Sequence, residues 1–424
     1  MPRRAPLFLA VMAGPAWAAC GLDAYVLTRS GSGIDGAGDG SPPSANDGAP
    51  PATGDGSPVP GDAPTVGRGD ASGVFAGQTS ACALSRSSGF CWGNNVQGAL
   101  GSGDLQSRLV PVAIAMMHTF DALSVGESHA CGLERLSGRA HCWGNNASGQ
   151  LGLGDTAART IPSLLPMLPA AQRIAAGYNH ACAILTDGAL WCWGDNFEGQ
   201  LGDGSGASSA SAPVRIGADA DWQRVAGGQG HSCGIRAPGT LWCWGRNVAS
   251  ELGLGPAQPG QIRTPQRVGA LADWVEVDVG QDASCAVRRD GTLWCWGDNA
   301  FGQLGFPSPM TATSPTQVGA DAGWLRVSID TFSACGVKTD GTLWCWGRNA
   351  EGQLGAGDLQ DRAVPLQVGL GQTWTDVSVG RFFACAQRAD RAVACSGANE
   401  SGELALGDTM RRSTFAPVVL PGDP

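Results

Sequence analysis

The chain has 424 residues, 43 % of them hydrophobic, and a formal net charge of −10 that results from 27 basic and 37 acidic residues. Only one basic residue, Lys338, is a lysine, and no basic run lies between aromatic residues. Binding of nucleic acid through phosphate neutralisation is therefore not expected. The chain is long enough to bury a large core, and nothing in it suggests a lipid-facing surface.

The first 19 residues have the composition of a secretory signal. The segment "MPRRAPLFLAVMAGPAWAAC" has two arginines, a short apolar stretch and small residues before Cys20. This pattern predicts export and is too short for a membrane span. The sequence "WAAC" before Gly21 resembles a bacterial lipoprotein processing box, which would make Cys20 a lipidation site and the protein an outer-membrane lipoprotein. Plain cleavage near Ala18 or Ala19, giving a secreted or periplasmic protein, is the alternative.

Residues 20–72 are predicted to form a flexible tether. From about Ser30 to Ser72 the chain consists mainly of Gly, Pro, Ala, Ser and Asp, so burial cannot offset the entropy lost on ordering. The tether would carry a surface-anchored binding head or would act as a mere spacer. "GSGIDG" at 31–36 matches a dinucleotide-binding pattern but has no strand before it and no helix after it, so we attribute it to composition.

Residues 73–424 contain seven copies of one unit of about 50 residues. "DGTLWCWGDNAFGQLG" at 290–305 recurs as "DGTLWCWGRNAEGQLG" at 340–355. Further copies occupy 187–202 and 238–253, and weaker ones begin at Gly89, Gly138 and Arg391. Such a period is typical of β-propellers.

Each unit is predicted to form four strands, because short β-branched or aromatic runs alternate with turns and no helical apolar period occurs. Within 273–319, strand A is "DWVEVDVG", strand B "ASCAVR", strand C "TLWCWG" and strand D "PTQVG". Seven such units predict an all-β, seven-bladed β-propeller that closes where residues near Val74 meet those near Val418.

Fourteen of the fifteen cysteines form one pair per unit. If Arg289, Asp290 and Gly291 form a three-residue hairpin loop, residues whose numbers sum to 580 face each other. Cys285 then opposes Cys295 at a Cα distance of roughly 4.5 to 5.5 Å, within disulfide range. The predicted pairs are Cys82–Cys91, Cys131–Cys142, Cys182–Cys192, Cys233–Cys243, Cys285–Cys295, Cys335–Cys345 and Cys385–Cys395.

Free buried thiols are the alternative to disulfides. A metal site is disfavoured, because no Cys-x-x-Cys occurs and two thiolates make only half a zinc shell. We therefore expect no metal and no cofactor.

The tryptophans of strand C and the asparagine that follows them are expected to stabilise the fold. Alternation along strand C sends Trp294 and Trp296 to one face of the blade and Leu293 and Cys295 to the other, and neighbouring blades cover both faces. Asn299 is expected to cap loop backbone rather than to bind a ligand. The same position is Asn in every unit, at 95, 146, 196, 247, 299, 349 and 399.

The spaced pattern "W-G-x-N-x-x-G-Q-L-G", followed by "P-x-x-V" and "V-x-x-G-x-x-H-x-C", resembles the repeat of the regulator of chromosome condensation family, whose members are seven-bladed propellers. The resemblance covers about residues 73–421. Two features depart from it: the regular cysteine pairs are unlike the nuclear members, and Ser396 replaces a tryptophan in the seventh unit.

The resemblance implies one of two functions. One is a non-enzymatic exported binding module, since the family includes a secreted propeller that inhibits β-lactamases. The other is guanine-nucleotide exchange, the activity of the best-known nuclear member, which would need a cytoplasmic GTPase and a projecting loop. We favour a monomeric binding module that is not an enzyme and whose partner is a protein or a surface glycan. A membrane would be contacted only through a lipid anchor.

Two further patterns are assigned structural roles. "GHSCG" at 230–234 matches the nucleophile elbow of hydrolases, but Ser232 occupies a position where other units have Ala or Ser, with no strand-to-helix turn. His129, His180 and His231 share one position in units two to four. Local hydrogen bonding is expected for them rather than metal binding, because neighbouring blades splay apart.

The turn between strands A and B is a place where the units differ, and it is therefore the predicted binding rim. Tyr178, Phe332, Arg381 and Phe382 lie in these turns, and Asp330 replaces the usual Gly in the sixth unit. Aromatic and Arg side chains are typical anchors of protein interfaces. The alternative is that these aromatic residues fill space between blades.

Overall fold

The computed structural model of the protein describes residues 73–422 except 86–87, 116–118, 257 and 259. The predicted signal peptide, Cys20 and the tether lie outside the described residues. Every regular element in the described part is a β-strand, and this part has no helix long and apolar enough to cross a membrane.

The strands form seven four-stranded antiparallel sheets in which consecutive strands A to D are neighbours, as predicted for a seven-bladed propeller. Blade 1 has β1 (Gly73–Ala76), β2 (Ser80–Ser85), β3 (Ser88–Gly93) and β4 (Arg108–Ala113). Blade 2 has β5 (Phe120–Val125), β6 (His129–Glu134), β7 (Ala140–Gly144) and β8 (Arg159–Leu164). Blade 3 has β9 (Ala171–Ala176), β10 (His180–Leu185), β11 (Leu190–Asp195) and β12 (Ser209–Arg215).

The other four blades repeat this arrangement. Blade 4 has β13 (Trp222–Gly227), β14 (His231–Arg236), β15 (Thr240–Arg246) and β16 (Gln261–Arg267). Blade 5 has β17 (Trp274–Val279), β18 (Ala283–Arg288), β19 (Leu293–Asp298) and β20 (Thr311–Gln317). Blade 6 has β21 (Trp324–Ile329), β22 (Ser333–Lys338), β23 (Leu343–Gly347) and β24 (Arg362–Val368). Blade 7 has β25 (Trp374–Val379), β26 (Phe383–Arg388), β27 (Val393–Gly397) and β28 (Arg412–Val418).

The ring closes between the first and last blades. Val74 and Val418 belong to the same buried apolar cluster, which confirms the predicted meeting point. The backbone N–H of Ala76 donates to Ser378 Oγ at 2.8 Å. No strand is shared between the two blades, so side-chain packing and such hydrogen bonds close the ring.

The register within a blade agrees with the sequence except in strand D. Cys285 pairs with Cys295, and Gly291 takes a φ of +79° in the hairpin loop, as predicted. Strand D of blade 5 was expected at 315–319 but occupies Thr311–Gln317. A register shift between Cys295 and Gly297 adds residues before the pairing continues, and the extra residues extend the strand toward its N-terminus.

One disulfide joins strands B and C in every blade, and all seven predicted pairs are present. Their Cα atoms lie 4.0–4.1 Å apart, closer than the distance expected from the sequence. The half-cystines are at most 1 % exposed. Each bridge therefore lies within the sheet core.

The two faces of a blade pack against different neighbours. Cys82 and Cys91 of blade 1 pack with Phe120 and Trp143 of blade 2. Trp92, on the other face of blade 1, packs with residues of blade 7. This confirms that the second tryptophan of strand C and the cysteines point to opposite faces.

A repeated hydrogen bond links each blade to the preceding one. Trp346 Nε1 of blade 6 donates to Gln303 O of blade 5 at 2.9 Å, and the indole is fully buried. Five further tryptophans make the same bond, namely Trp92, Trp143, Trp193, Trp244 and Trp296. In blade 7, Ser396 Oγ bonds to Gln353 O at 3.2 Å, so the departure from the repeat retains the polar contact.

The first tryptophan of strand C has a different environment. Trp344 is half-buried, and its Nε1 donates to Thr342 Oγ1 at 2.8 Å. The ammonium of Lys338 lies 4.3 Å from its ring centroid, a cation–π contact. This tryptophan therefore stays within its own blade.

The repeated asparagine caps the loop after strand C, as predicted. The backbone N–H of Leu304 donates to Asn299 Oδ1 at 3.0 Å, and Asn299 Nδ2 donates to Phe306 O at 2.8 Å. The other six asparagines accept the equivalent bond from Leu100, Leu151, Leu201, Leu252, Leu354 and Leu404.

The hydrogen bond between blades should contribute measurably to stability. Trp346→Phe should lower the free energy of unfolding by about 1–3 kcal/mol, because it removes the donor to the buried carbonyl of Gln303. Trp344→Phe in the same strand is the control and should cost under about 1 kcal/mol, because its site is half-exposed. Urea unfolding followed by tryptophan fluorescence tests this, and equal losses would contradict it.

Candidate binding face

The A–B turns and the loops after strand C lie on one face of the ring, here called the A–B face. In blade 6, the backbone N–H of Arg348, which follows strand C, donates to Phe332 O in the A–B turn at 2.9 Å. In blade 2, Asn145 N–H donates to Ser128 O in the same way at 2.9 Å. Residues far apart in the repeat therefore share this surface.

Glycines narrow the central channel at the A–B face. A Cβ at Gly126 would lie 2.3 Å from Gly177 O of the next blade, and one at Gly228 would lie 2.2 Å from Gly280 O. A side chain at these positions would push the blades apart, which explains the almost constant glycine. Blade 6 has Asp330 at this position.

Asp330 forms the centre of a buried hydrogen-bond network across the channel. Tyr178 Oη of blade 3 donates a short hydrogen bond to Asp330 Oδ1, and Gln78 Nε2 of blade 1 donates to Asp330 Oδ2 at 2.7 Å. Thr331 Oγ1 lies 3.0 Å from Tyr178 Oη. These side chains of three blades close the channel at this face.

Tyr178 therefore differs from the expectation that it would lie on an exposed rim. It is 9 % exposed, and the Asp330 carboxylate draws its hydroxyl into the channel. Burial raises the pKa of Tyr178 well above its usual value, so the phenol stays protonated and donates. Burial also raises the pKa of Asp330 to about 6.

A polar cavity of about 140 Å³ lies below this network. Its walls include Ser124, Ser328, Ser378 and Asp278. Asp278 Oδ2 accepts from the backbone N–H of Ile329 at 2.9 Å, and burial raises its pKa to about 7. The cavity has room for a few water molecules and polar groups to bind them.

The other three predicted residues form part of one surface cluster, here called the aromatic patch: Phe301, Phe332, Phe382, Arg348 and Arg381. The rings of Phe332 and Phe382 stack at a centroid distance of 5.4 Å. Phe301 meets Phe332 edge to face at 5.1 Å. The guanidinium of Arg348 lies 5.1 Å from the Phe332 centroid, and that of Arg381 lies 5.2 Å from the Phe382 centroid.

Sequence analysis missed Phe301 and Arg348. Both follow strand C, at positions where the repeats differ, as they do in the A–B turns. Comparing repeats at every loop position, rather than in the A–B turn alone, would have found them. Phe301 is 38 % exposed, Arg381 is exposed, and Phe332 and Phe382 are half-buried.

A groove of about 380 Å³ borders the aromatic patch at Arg381. Amide side chains dominate its wall, at Gln78, Asn94, Gln97, Asn145 and Asn179. Asn179 Nδ2 donates to Glu127 Oε2 at 2.9 Å. The A–B face thus combines an apolar, positively charged area with a neighbouring polar groove.

Two of the three histidines at the shared position, His180 and His231, make local hydrogen bonds, as expected, whereas the buried ring nitrogens of His129 have no hydrogen-bond partner among the described residues. His180 Nε2 lies 2.8 Å from Ser232 Oγ, and Ser232 donates its hydroxyl to Gln200 O at 2.9 Å. His180 must therefore donate through Nε2. His231 bonds to Ser284 Oγ in the same way at 2.9 Å. Ser232 is fully buried in this contact, which explains "GHSCG" structurally.

Comparison with known proteins identifies the family. Residues 173–422, more than half of the chain, match the RCC1-like domain. The chain belongs to the RCC1-like family. Individual regulator of chromosome condensation (RCC1) repeats match at 90–133, 137–184 and 120–150.

Curated relatives share part of their length with this RCC1-like chain. The ultraviolet-B receptor UVR8 of Arabidopsis thaliana is 28 % identical over 238 residues, which are 54 % of this chain and 53 % of the receptor. The probable E3 ubiquitin-protein ligase HERC6 of Homo sapiens is 32 % identical over 228 residues, which are 51 % of this chain and 22 % of the ligase. The matched region is therefore about half of the receptor and a smaller part of the ligase.

Solved structures share the RCC1-like fold. Yeast RCC1 (Prp20), crystallised with Kap60, has a TM-score of 0.72 at 17 % identity and covers 87 % of this chain and 90 % of its own. Human WBSCR16 has a TM-score of 0.70 at 19 % identity and covers 79 % of this chain and 95 % of its own. At these identities the likeness establishes the fold.

The buried histidines should make stability depend on pH. Burial lowers the pKa of His180 from 6.5 to about 3, so the unfolded chain binds a proton that the folded protein does not. The contribution of the neutral buried His180 imidazole to the free energy of unfolding is complete above pH 6.5 and is lost as the pH falls toward 3. Between pH 7.5 and 5.0, the free energy of unfolding of the wild type should fall by about 2 kcal/mol more than that of His180→Gln.

Urea unfolding at several pH values measures this difference. Ser232→Ala is the control, because it removes the hydrogen-bond partner without removing a titrating group. Its stability difference from wild type should stay nearly constant with pH. A His180→Gln difference that is equally constant would contradict the assignment of a neutral buried imidazole.

Proposed function

We propose that this protein is an exported, non-enzymatic binding module that contacts a partner protein through the aromatic patch of its A–B face. In this proposal residues 1–19 are a signal peptide, residues 20–72 are a tether that begins at a lipidated Cys20, and residues 73–424 are the propeller. The cluster of Phe301, Phe332 and Phe382, with the guanidinium groups of Arg348 and Arg381 over its rings, is the observation that carries it.

The disulfides support export. Disulfides persist in oxidising compartments and are rare in the cytosol, and this propeller has one in each of its seven blades. Their repetition is consistent with a protein that folds outside the cytoplasm. A tether before the propeller suits a head held away from a surface.

The chemistry of the patch favours a protein partner. Aromatic and Arg side chains supply most of the binding energy in protein interfaces, and contact with a partner would remove the partly exposed rings from water. The ring faces of Phe332 and Phe382 stack on each other, and Arg348 and Arg381 lie over rings. A sugar would need a free ring face, so a surface glycan is the second outcome of the test.

Related propellers support binding as the general function. Yeast RCC1 (Prp20) was crystallised bound to Kap60, and a second study of Prp20p describes binding to Gsp1p and histones. Binding of other proteins is therefore recorded for a protein that shares this fold. In this proposal the partner would be a protein of the compartment to which the chain is exported.

Single substitutions in the patch should weaken binding without unfolding the propeller. Pull-down from secreted and outer-membrane fractions first identifies the partner, and calorimetry then measures affinity. Phe382→Ala and Arg381→Ala should each weaken affinity about tenfold or more. The control Phe197→Ala, at a ring that is 68 % exposed on the same face outside the patch, should stay within about twofold.

The controls separate loss of binding from loss of fold. Thermal unfolding should give similar midpoints for all three variants, because the altered side chains are at least partly exposed. Tyr178 is left unaltered, since its removal would disturb the channel network. The proposal would be wrong if folded Phe382→Ala and Arg381→Ala variants bound the partner with full affinity. If the protein bound glycans in preference to proteins, the partner would be a carbohydrate instead.

A further inference from the structure

One position of strand A places charged side chains in a ring around the central channel. Ion pairs between neighbouring blades connect them. Arg224 lies 3.6 Å from Glu276, Glu276 lies 3.6 Å from Arg326, and Arg326 lies 3.6 Å from Asp376. Arg173 of blade 3 occupies the same position next to Arg224.

Arg173 is the member of this ring that makes no close ion pair among the described residues, although Glu276 attracts it at longer range. Glu276 lies between Arg224 and Arg326, and Asp376 pairs with Arg326. Three arginines against two carboxylates leave one positive charge. Burial, together with the nearby charge of Arg224, lowers the pKa of Arg173 to about 10, which still leaves it charged at neutral pH.

A cavity of about 500 Å³ lies beside Arg173, away from the A–B face. It exists because blades 1 and 2 have Gly73 and Ala122 at the ring position where the other five blades have charged side chains. Phe75 lines both this cavity and the smaller one below the A–B network, and so lies between them. Exposed Leu136 lies at the cavity mouth.

The cavity wall combines apolar surface with two arginines, Arg173 and Arg326, and with three carboxylates that have partners, namely Asp121, Glu134 and Asp376. Leu133 and Phe75 supply apolar surface. Asp121 lies 3.8 Å from the Arg135 guanidinium, and Glu134 Oε2 accepts from Ser137 Oγ at 2.5 Å. The volume lies within the range of small-molecule sites.

We propose that this channel cavity binds a small organic acid, with its carboxylate or phosphate paired to Arg173 and its apolar part against Phe75 and Leu133. A guanidinium binds such oxyanions through two parallel hydrogen bonds. The ligand would complete the charge ring by supplying the carboxylate that blades 1 and 2 lack. The site lies on the opposite side of the A–B network from the aromatic patch and does not depend on the proposed function.

Calorimetry on the full propeller tests the site with three probes at constant ionic strength in sodium chloride: inorganic phosphate, benzoate and phenyl phosphate. We expect phenyl phosphate or benzoate to bind more tightly than chloride. Arg173→Gln should weaken that binding about tenfold or more. Arg289→Gln removes the same charge from an exposed hairpin residue and should leave the affinity unchanged.

Two further measurements distinguish a ligand site from a structural arginine. In buffer without oxyanions, Arg173→Gln should be at least as stable as the wild type, because it removes an unpaired, partly buried charge. Ala122→Leu should block binding by filling the cavity while Arg173 remains. If no probe binds more tightly than chloride, if Arg173→Gln binds as the wild type does, or if that variant is strongly destabilised, the proposal is wrong. Binding of phosphate alone would assign the site to free phosphate rather than to an organic acid.

Discussion

The propeller depends on one repeated contact, the hydrogen bond from a buried indole N–H to a main-chain carbonyl of the preceding blade. The carbonyl is buried, so without a donor it would carry the full cost of desolvation. A glycine beside the indole makes the close approach possible: a Cβ at Gly305 would lie 3.1 Å from Trp346 Nε1. This contact fixes the distance between blades, and the disulfide fixes strand B against strand C within each blade. Blade 7 lacks this tryptophan but keeps both parts of the contact. Ser396 makes the polar contact, and Phe415 packs against Gly355, where an indole ring would otherwise lie.

With the blades fixed in this way, the A–B turns converge on the axis and leave room only for glycine backbone. The exception at Asp330 therefore has a large effect, because a single carboxylate placed at the axis can reach several blades. Tyr178 and Gln78 both donate to it, which compensates part of the cost of burying a charge. Protonation would remove one acceptor site, and a pKa near 6 means that the network stays largely ionised at neutral pH.

The fold could be predicted from the sequence because its determinants are local and repeated. The Asp-Gly hairpin determines which cysteines face each other, and alternation along strand C determines which face each tryptophan takes. The end of strand D could not be predicted, because the register shift after Cys295 depends on pairing between strands. The position of Tyr178 could not be predicted either, since it depends on a carboxylate 152 residues away that only ring closure brings near. Phe301 and Phe332 likewise meet only because neighbouring blades place a loop of one beside a turn of the next.

The same geometry gives the two ends of the channel different chemistry. At the A–B face, neutral donors surround a carboxylate, and the opening is closed by their hydrogen bonds. Toward the other face, the missing side chains at Gly73 and Ala122 leave space beside an arginine whose charge the ring does not balance. Buried ion pairs are costly to break but add little net stability, so a purely structural ring would gain nothing from an extra arginine. The anion site proposed above would supply a close partner for Arg173, which within the ring interacts with a carboxylate only at longer range, through Glu276.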